Sequence, residues 1–314
     1  MKILFTGASS FTGYWLVSEL MRRGHRVVPV LRRSPDAYEG VRRERARRVV
    51  ALCGDVLNGS FGDEAFLERI RAEAGWHTLC HHAAEVTDYK APDFDVARAL
   101  ANNTFRLGPV LAALRAGGCT RVVLTGSVFE NDEGAGSEGL PAFSPYGLSK
   151  GLTAQVFRYH AGQQGMRLGK FVIPNPFGPL EEPRFTTYLV RSWFAEQTPV
   201  VRTPAYVRDN IHVGLLARAY AQFVEGLEST PGFQRLGPTG YVSTQAEFVR
   251  RFAAELEPRL GISCPVEIAE QTEFPEPRVR INIDVPDATA LGWSEAQAWD
   301  ELAEYYSFTR GEAS

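Results

Sequence analysis

The chain contains 314 residues, of which 44% are hydrophobic, and it has a formal net charge of −3 and 4 cysteines. This length and apolar content suffice for one large domain or two, and the weakly acidic charge argues against a nucleic-acid partner. No apolar run reaches the length of a membrane span, and because a strand is predicted from Lys2 we expect no signal peptide. The cysteines are far apart and lack Cys-x-x-Cys spacing, which predicts buried thiols in a reducing cytoplasm and no metal site.

Residues 1–13 have the pattern of a nucleotide-binding turn. Residues 2–6 predict a buried strand, residues 7–13 a tight Gly-rich loop, and residues 14–23 a helix. Such a turn presents backbone N–H groups and the positive helix end to a diphosphate, although similar turns also occur for packing reasons. Ser10 stands at the middle glycine position of the pattern, where its hydroxyl can still face a phosphate. The predicted cofactor contacts in this loop are Gly7, Ser9, Ser10, Phe11, Thr12 and Gly13.

Strands and helices alternate along the first part of the chain. We predict further strands over residues 26–31, 49–53, 78–80, 121–124 and 168–173, and helices over 63–74, 94–117 and 145–163. This alternation predicts an α/β fold with a doubly wound parallel Rossmann sheet. We expect a dinucleotide-binding domain over residues 1–175, with 207–230 returning to it, and a smaller C-terminal substrate-binding domain formed mainly by 176–206 and 231–314.

Two positions near the early strands bear on the choice of cofactor. Arg32 and Arg33 follow the second strand, where an acidic residue would hold the ribose hydroxyls of NAD and an arginine suits the 2′-phosphate of NADP. The positive charge therefore favours NADP, with a solvated loop as the alternative. Asp55, followed by Val56, ends the third predicted strand and is suited to accept a hydrogen bond from adenine or to cap the next segment. The arginine-rich run at 41–48 predicts a solvated face.

Small and potentially metal-binding residues follow the fourth predicted strand. Ala83 and Ala84 would let the backbone approach a ligand closely. His81 and His82 invite a metal-site interpretation, but adjacent side chains on a strand point to opposite sides and no carboxylate or cysteine cluster accompanies them. The sequence therefore favours a structural role for both histidines.

Ser127, Tyr146 and Lys150 carry the clearest chemistry. Tyr146 and Lys150 are four residues apart and share one helix face, while Ser127 follows the fifth predicted strand. A tyrosine has a pKa of about 10, but a neighbouring ammonium and the positive nicotinamide of an oxidised cofactor favour the phenolate. Tyr146 would then exchange a proton with a carbinol or carbonyl oxygen that Ser127 positions by a hydrogen bond. The Lys150 ammonium is also suited to hold the nicotinamide ribose hydroxyls.

Together these motifs resemble the extended short-chain dehydrogenase/reductase family, in its branch of nucleotide-sugar epimerases, dehydratases and reductases. The matching segments span nearly the whole chain in the family's order: residues 7–13, 55–56, 82–84, 127, 146–150, 175–179, 208–213 and 291–293. The resemblance implies an NAD(P)-dependent enzyme in which Asn175 lies near the substrate diphosphate and Arg208 binds it. It also implies a homodimer formed by the helices near 94–117 and 146–163. Further expected contacts are Val56, Ala83, Ala84, Thr125 and Pro174 for the cofactor, and Glu85 and Arg184 for the substrate.

Some positions depart from the family pattern. The dehydratases carry an Asp-Glu pair just after the catalytic hydroxyl residue, whereas Val128 and Phe129 follow Ser127, which argues against dehydration. Glu130, Asp132 and Glu133 are candidates for a second acid, although a solvated loop is favoured for this acidic stretch. Bulky residues after 180 are expected on the substrate side, with core packing as an alternative for two of them, Phe185 and Trp193: Arg184, Phe185, Tyr188 and Trp193.

Three functions fit these observations. The leading hypothesis is an oxidoreductase of a nucleoside-diphosphate sugar, acting as a ketoreductase or epimerase, most readily at C4, with NADP favoured over NAD. The second is an NADPH-dependent reductase of a carbonyl substrate without a nucleotide. The third is a non-catalytic dinucleotide sensor, which is disfavoured because Tyr146 and Lys150 are both present. We expect a soluble cytoplasmic protein with no membrane or nucleic-acid partner.

Overall fold

The computed structural model describes residues 1–227 and 232–312 of the chain. Two compact units divide it: the first comprises Met1–Glu133, Leu140–Ile173 and Ala217–Gly237, and the second Gly134–Gly139, Pro174–Leu216 and Pro238–Ser314. The predicted return of 207–230 to the first domain needs correction, because residues 207–216 belong to the second unit. The end of that predicted segment, 228–230, lies outside the described residues.

The first unit is built on a seven-stranded sheet in which all neighbouring strands are parallel. Its strands are β1 Lys2–Thr6, β2 Arg26–Leu31, β3 Leu57–Asn58, β4 Thr78–His81, β5 Arg121–Ser127, β7 Arg167–Ile173 and β11 Phe233–Leu236. Their order across the sheet is β3-β2-β1-β4-β5-β7-β11. This order confirms the predicted doubly wound parallel fold, in which the chain starts at a central strand and winds outward in both directions.

Helices connect the strands of the first unit. They are α1 Phe11–Arg22, a short 3₁₀ turn at Pro35–Ala37, α2 Gly40–Cys53, α3 Glu64–Ala72, α4 Val96–Asn103, α5 Leu107–Ala116 and α6 Pro145–Gln163. A buried core cluster on this unit includes Leu4, Val28, Phe66, Leu79, Leu111, Val122 and Phe157. The strands contributing to it are almost completely buried, which explains their continuous apolar sequences.

Two predicted elements of the first unit are wrong. Residues 49–53, predicted as a strand, form the last part of α2, and the third strand follows at β3. The single helix predicted over 94–117 is divided into α4 and α5, with Arg106 at φ +50° between them. Pro109 cannot donate a backbone hydrogen bond, so a helix that restarts at Leu107 places it in the first turn, where that donor has no intrahelical acceptor.

The second unit has a smaller mixed sheet and a two-stranded sheet. Its strands are β6 Ala135–Gly136, β8 Asn175–Phe177, β9 Val200–Val201, β10 Val207–His212, β12 Tyr241–Thr244, β13 Glu267–Ile268 and β14 Val279–Ile281. The order is β12-β10-β14-β6, with β8 also on β10, while β13 pairs with β9. The helices are α7 Phe185–Phe194, α9 Gln245–Leu260 and α10 Glu295–Glu312; α8 Val213–Gly226 is shared between the units. An aromatic core includes Phe177, Trp193, Phe248, Phe252 and Trp299.

No helix among the described residues has the length and apolar character needed to cross a membrane.

Candidate functional site in the first unit

The Gly-rich loop follows β1 at the carboxyl edge of the parallel sheet. Gly7 has φ +81°, and a Cβ atom there would lie 2.7 Å from the backbone nitrogen of Ala83. Only glycine therefore permits both the turn and the close approach of the segment that follows β4. The loop and the Ala83-Ala84 segment lie side by side because β1 and β4 are neighbours in the sheet.

The Ser10 hydroxyl is hydrogen-bonded within the loop. It accepts a hydrogen bond from the backbone of Gly13 at 3.1 Å and donates one to the carbonyl oxygen of Gly7 at 2.9 Å. Ser10 thus caps the amino end of α1 and braces the loop. The predicted contact of this hydroxyl with a phosphate stays a prediction.

The backbone of the loop retains the features of a diphosphate site. Phe11 and Thr12 supply the first two backbone N–H groups of α1, and neither has an acceptor among residues 1–227 and 232–312. The Phe11 side chain is buried, so only its backbone is available to a ligand. Two open donors at a positive helix end suit an anionic ligand, and the loop therefore fits the diphosphate of a dinucleotide.

Helix α2 brings further arginines to this loop. Both Nε and Nη2 of Arg42 lie 3.3 Å from the Ser9 hydroxyl, and Nε of the completely buried Arg45 donates to the Ser9 carbonyl oxygen at 3.1 Å. The prediction that the 41–48 run is only a solvated face is therefore wrong for these two residues. Arg32 and Arg33 are exposed after β2, as a phosphate-binding role requires.

The structure contradicts the adenine role predicted for Asp55. Its carboxylate accepts hydrogen bonds from Arg26 at 3.1 Å and from Arg69 at 2.9 Å. Arg26 begins β2, so Asp55 lies at the amino edge of the sheet, opposite the Gly-rich loop. The cause is the helical conformation of residues 49–53, which delays the third strand to β3. Asn58, at the end of β3 and beside Leu31, occupies the carboxyl edge instead; Val56 precedes β3.

His82 links the Gly-rich loop to β5. Its Nε2 lies 3.1 Å from the Ser10 hydroxyl and 3.0 Å from the Thr12 hydroxyl, and its Nδ1 lies 3.0 Å from the Thr125 hydroxyl. In the neutral imidazole one ring nitrogen carries the hydrogen and the other accepts, so His82 donates on one side of this link and accepts on the other. Burial and the nearby Lys150 ammonium lower the pKa of His82 to about 3, which makes it neutral at pH 7. No set of three potential metal ligands occurs in the part of the chain described.

The predicted catalytic groups converge at the end of β5 and the start of α6. Lys150 Nζ donates to the Thr125 carbonyl oxygen at 2.5 Å, two residues before Ser127 on the same strand. A Cβ atom at Gly147 would lie 2.1 Å from the Phe129 carbonyl oxygen, so glycine permits α6 to pack against the turn after β5. Tyr146 and Lys150 lie one helical turn apart on α6. The Tyr146 ring packs edge-on against Tyr89 at 5.3 Å and Phe94 at 6.1 Å.

Ser127 has a defined hydrogen-bonding direction. Its hydroxyl oxygen accepts from the Phe129 backbone at 3.2 Å, and its own backbone N–H donates to Glu130 Oε1 at 2.7 Å. The first bond occupies a lone pair of the hydroxyl and leaves its hydrogen able to donate to a substrate oxygen. Ser127 is therefore arranged as a donor, as polarisation of a carbonyl group requires.

Lys150 is almost completely buried, with 4% of its surface exposed. Burial lowers the pKa of Lys150 to about 8. The charge of Lys170 also lowers this pKa, whereas the charge of Glu130 raises it. The ammonium thus predominates at neutral pH and is lost at alkaline pH. A positive charge one helical turn away is the arrangement expected to favour a phenolate at Tyr146, and the role of this tyrosine in proton exchange stays a prediction.

The acidic loop after Ser127 is not solvated, contrary to prediction. Glu130 is completely buried, Glu133 is 5% exposed, and both contact Lys170 on β7, at 2.5 Å and 2.7 Å. Ser127 N–H and Lys170 occupy both Glu130 oxygens, so Glu130 is not positioned as a second catalytic acid. A lysine within the apolar β7 sequence was the available signal, because a buried charge requires a partner.

Glu85 is already held within the first unit. Its carboxylate accepts from the Thr87 backbone at 3.0 Å and from Asn102 at 3.2 Å, and its backbone donates to Asn103 at 2.7 Å. These bonds fix the segment that follows Ala84 at the carboxyl edge of the sheet.

The remaining predicted substrate residues lie in the second unit. Asn175 begins β8 and pairs with Asn210 of β10, directly after Pro174. Arg208 Nη1 donates to the carbonyl oxygens of Val207 and Pro277, both at 3.0 Å, and its Nη2 donates to Glu276 at 2.9 Å.

Some of the bulky residues in and just before α7 are exposed at the surface, and others pack in the core. Arg184 is exposed at the start of α7, and Tyr188 is 45% exposed. Trp193 lies in the aromatic core, where its indole N–H donates to the Pro265 carbonyl oxygen. Phe185 packs against that core. Core packing thus accounts for Trp193 and Phe185.

Comparisons with known proteins agree with this architecture. Residues 3–234 match the model of the NAD dependent epimerase/dehydratase family. The fold is similar to that of a UDP-glucose 4-epimerase from Thermotoga maritima, solved with UDP-glucose, at 20% identity and a TM-score of 0.74 over 99% of this chain and 100% of that one. A Stenotrophomonas maltophila UDP-glucose-4-epimerase, with NAD and formylated UDP-arabinopyranose, gives 19% identity and a TM-score of 0.75 over 100% of this chain and 99% of that one.

A third similar structure is a dTDP-glucose 4,6-dehydratase from Streptomyces venezuelae, with NAD bound, at 20% identity and a TM-score of 0.74 over 99% of this chain and 98% of that one. Among curated protein sequences, none matches this chain. The family match covers most of the chain, and the seven-stranded parallel sheet agrees with it. The chain belongs to the NAD dependent epimerase/dehydratase family and is an enzyme of the extended short-chain dehydrogenase/reductase type that uses a nicotinamide cofactor.

Proposed function

We propose that this enzyme interconverts a hydroxyl and a keto group on the sugar ring of a nucleoside-diphosphate sugar, most readily at C4, as a ketoreductase or an epimerase. The observation that carries the proposal is the junction of β5 and α6. There, Lys150 is fixed on the Thr125 carbonyl oxygen and Ser127 is arranged as a hydrogen-bond donor. Tyr146 lies one turn from Lys150, as proton exchange with a carbonyl oxygen requires.

The nicotinamide cofactor supplies or accepts the hydride in this chemistry. The open backbone N–H groups of Phe11 and Thr12 would hold its diphosphate, and Lys150 would hold the adjacent ribose. Backbone contacts are expected from four further positions that follow or end strands at the same edge: Ala83, Ala84, Thr125 and Pro174. Tyr146 would donate a proton to the developing alkoxide in reduction and remove it in oxidation, with Ser127 steadying the same oxygen.

NADP is the proposed cofactor, rather than NAD. Arg32 and Arg33 are exposed after β2, the position that contacts the adenosine ribose in this fold. Arg42 adds a third guanidinium, beside the Gly-rich loop, through its contact with Ser9. Two or more arginines at this edge would provide charge-assisted hydrogen bonds to a 2′-phosphate, which NAD lacks.

The proposed substrate class rests on family membership and on the ligands of similar structures. UDP-glucose and formylated UDP-arabinopyranose are present in two of those structures. In this chain the proposed substrate contacts are Glu85, Asn175, Arg184 and Arg208. Val128 and Phe129 follow Ser127, so the chain lacks the acid pair expected of a dehydratase at that position, and the proposal does not include dehydration.

A reductase of a carbonyl compound without a nucleotide is the second candidate. It is favoured by the state of Arg208, whose Nη1 and Nη2 groups already bind backbone carbonyl oxygens and the Glu276 carboxylate. A diphosphate would compete with Glu276 for this guanidinium. If no nucleoside diphosphate has measurable affinity, this second function replaces the first.

A homodimer is also proposed, through α4, α5 and α6. Leu148, Leu152 and Tyr159 are exposed on α6 at 41%, 39% and 64%, and their spacing places them along one side of the helix. Light scattering should give twice the monomer mass for the wild type, and a Leu152→Glu variant should shift towards the monomer. A wild type that is monomeric at micromolar concentration would contradict this assembly.

The test of the proposed function combines co-purification with a substrate panel. The nucleotide released from purified protein distinguishes the two activities: retained NAD(P) indicates an epimerase, and an empty site with a preference for NADPH indicates a reductase. UDP- and dTDP-linked hexoses and their 4-keto forms should then show epimer formation or cofactor oxidation. Failure of every nucleotide-linked substrate, with turnover of a simple carbonyl compound, would contradict the proposal in favour of the second candidate.

A further inference from the structure

A buried network of charged residues lies behind the proposed catalytic groups. Lys170 Nζ is 2.5 Å from Glu130 Oε2 and 2.7 Å from Glu133 Oε1, and Arg235 reaches the other oxygen of Glu133 at 2.8 Å. The two glutamates and the lysine are each no more than 6% exposed. Buried charges of this kind rarely contribute much net stability, so their presence invites a functional explanation.

Glu130 connects this network directly to the catalytic groups. Its Oε1 accepts the backbone N–H of Ser127 at 2.7 Å, and its own backbone donates to the Ser127 carbonyl oxygen at 3.1 Å. The turn that carries Glu130 also lies against α6, where a Cβ at Gly151, next to Lys150, would be 3.9 Å from the Glu130 Cβ. The carboxylate is therefore held at the end of β5, on a residue whose Cβ faces the lysine-bearing part of α6.

We propose that Glu130 is a positioning residue that holds Ser127 in place and keeps Lys150 protonated in its buried environment, while Lys170 neutralises the remaining charge of the glutamate. This inference rests on the proposed catalytic role of Tyr146 and Lys150, and it adds the Glu130 carboxylate as the charge that stabilises the Lys150 ammonium. Glu130 does not contact a substrate oxygen, because both of its carboxylate oxygens are engaged with Ser127 and Lys170.

The charges that face Lys150 define the expected effect. Glu130 attracts the ammonium and Lys170 repels it, while burial opposes the charged form most strongly. His81 and His82 also face it, but burial holds the pKa of each at about 3, so both are neutral at working pH. Tyr146 is the titratable neighbour on α6 itself. Removing the Glu130 charge leaves Lys150 opposed by both burial and Lys170.

The test compares the wild type with Glu130→Gln, which keeps an acceptor for Ser127 N–H and removes the charge. The alkaline limb of kcat/KM for the reductive reaction should move to lower pH by about one unit, because the Lys150 ammonium is lost earlier. The affinity for NADP⁺, measured by calorimetry across the same pH range, should weaken at correspondingly lower pH, since Lys150 would bind the cofactor ribose. An alkaline limb unchanged in both measurements would overturn the proposal.

Two further variants separate charge from folding. The carboxylate of Glu133 is buried and contacts Lys170 and Arg235 rather than Ser127 in the part of the chain described, so both alkaline limbs of Glu133→Gln should stay within about 0.3 unit of wild type. Glu130→Gln combined with Lys170→Met removes the attraction and the repulsion together, and its limbs should lie between those of wild type and Glu130→Gln. The double variant also provides the test if Glu130→Gln alone does not fold. Its limbs should lie at lower pH than those of Lys170→Met, which keeps the attraction of Glu130, and limbs equal to those of Lys170→Met would contradict the proposal.

The outcomes distinguish this inference from the proposed function. Wild-type protein that turns over no carbonyl substrate would contradict the proposed function, while the NADP⁺ affinity profile would still test the link between Glu130 and Lys150. Wild-type turnover together with identical alkaline limbs in Glu130→Gln would leave the proposed function intact and overturn only the role of Glu130.

Discussion

Lys150 in the first unit and Arg208 in the second are both nearly buried cations for which the sequence predicted a ligand, yet their surroundings differ. Among residues 1–227 and 232–312, Lys150 has one hydrogen-bond partner, the Thr125 carbonyl oxygen, although an ammonium has three hydrogens to donate. The two Nη groups of Arg208 donate to three carbonyl oxygens and to Glu276, and its guanidinium also lies 4.2 Å from the Tyr206 ring centroid. The first cation retains capacity for a ligand, whereas the second already has protein partners.

This difference indicates which part of the function is built into the fold. The Lys150 environment is defined by a parallel sheet and the helix after β5, elements that family members share. The Arg208 environment depends on residues 276–278, which precede β14 in the less regular second unit. Chemistry at the nicotinamide is therefore better specified by the structure than recognition of the substrate.

The largest effect is expected from Lys150→Met. Loss of the ammonium removes the charge that favours the Tyr146 phenolate and the proposed ribose contact, so kcat/KM should fall by at least about a thousandfold. In the wild type the same requirement predicts that activity declines as pH rises through about 8, where Lys150 loses its proton. Lys90→Met, at an exposed lysine, is the control and should be indistinguishable from wild type. Retention of activity by Lys150→Met would contradict the assignment.

A smaller effect is expected at the cofactor selectivity site. Arg42→Ala and Arg32→Ala should each weaken NADP⁺ binding by roughly tenfold or more, with little change for NAD⁺, because each variant removes a charge-assisted hydrogen bond to the 2′-phosphate. Arg47→Ala is the matched control, since Arg47 lies on α2 like Arg42 and forms an ion pair with the exposed Asp36 at 2.8 Å. An unchanged NADP⁺/NAD⁺ affinity ratio in both variants would show that the chain does not select NADP through these arginines.

Variants at Glu276 and Arg208 test the second cation directly. If Arg208 binds a diphosphate, Arg208→Ala should weaken UDP or dTDP binding by about tenfold, and Glu276→Gln should strengthen it by about threefold because it removes a competing carboxylate. Calorimetric titration of the holoenzyme with each nucleotide provides the measurement. Equal affinity in all three proteins would support the carbonyl reductase without a nucleotide substrate.

The smallest effect concerns the response of stability to acid. Burial lowers the pKa of His81 to about 3 and that of His212 to about 4, from an ordinary value of 6.5. Both histidines are neutral in the folded state and take up protons on unfolding below pH 6.5, so the free energy of unfolding should decrease as pH falls. Each contributes a slope of up to about 1.4 kcal/mol per pH unit between pH 6.5 and 5. Urea unfolding of wild type and His81→Phe should show a shallower slope in the variant.

The sequence was most informative where a pattern depends on neighbouring residues. Continuous apolar runs identified β1 and β2 with their observed bounds, and glycine spacing identified the loop after β1. The prediction from sequence was wrong at residues 49–53, where a run containing two valines suggested a strand. There α2 continues instead, and Arg42 and Arg45 anchor that helix on Ser9. Propensity is a weak signal, and tertiary contacts of this kind override it.

Parts of the site depend on residues that are distant in the chain. Burial of Glu130 depends on Lys170, which lies forty residues later in the chain. The sequence does not show that β5 pairs with β7, and without this pairing the acidic loop is predicted to be solvated. The misplacement of Asp55 followed from the strand error, because a delayed third strand places a different residue at the carboxyl edge. In contrast, Tyr146 and Lys150 are four residues apart on one helix, and their shared face is evident from spacing alone.

The most direct measurement is a comparison of turnover and NADP⁺ affinity in Tyr146→Phe. Removing the phenolic oxygen should lower turnover by at least about a hundredfold while the dissociation constant for NADP⁺ stays within about twofold of wild type. Tyr89→Phe, which removes a hydroxyl from the ring that packs on Tyr146 at 5.3 Å, should retain turnover and serves as the control. Undiminished turnover by Tyr146→Phe, with the protein folded and the cofactor bound, would contradict the account.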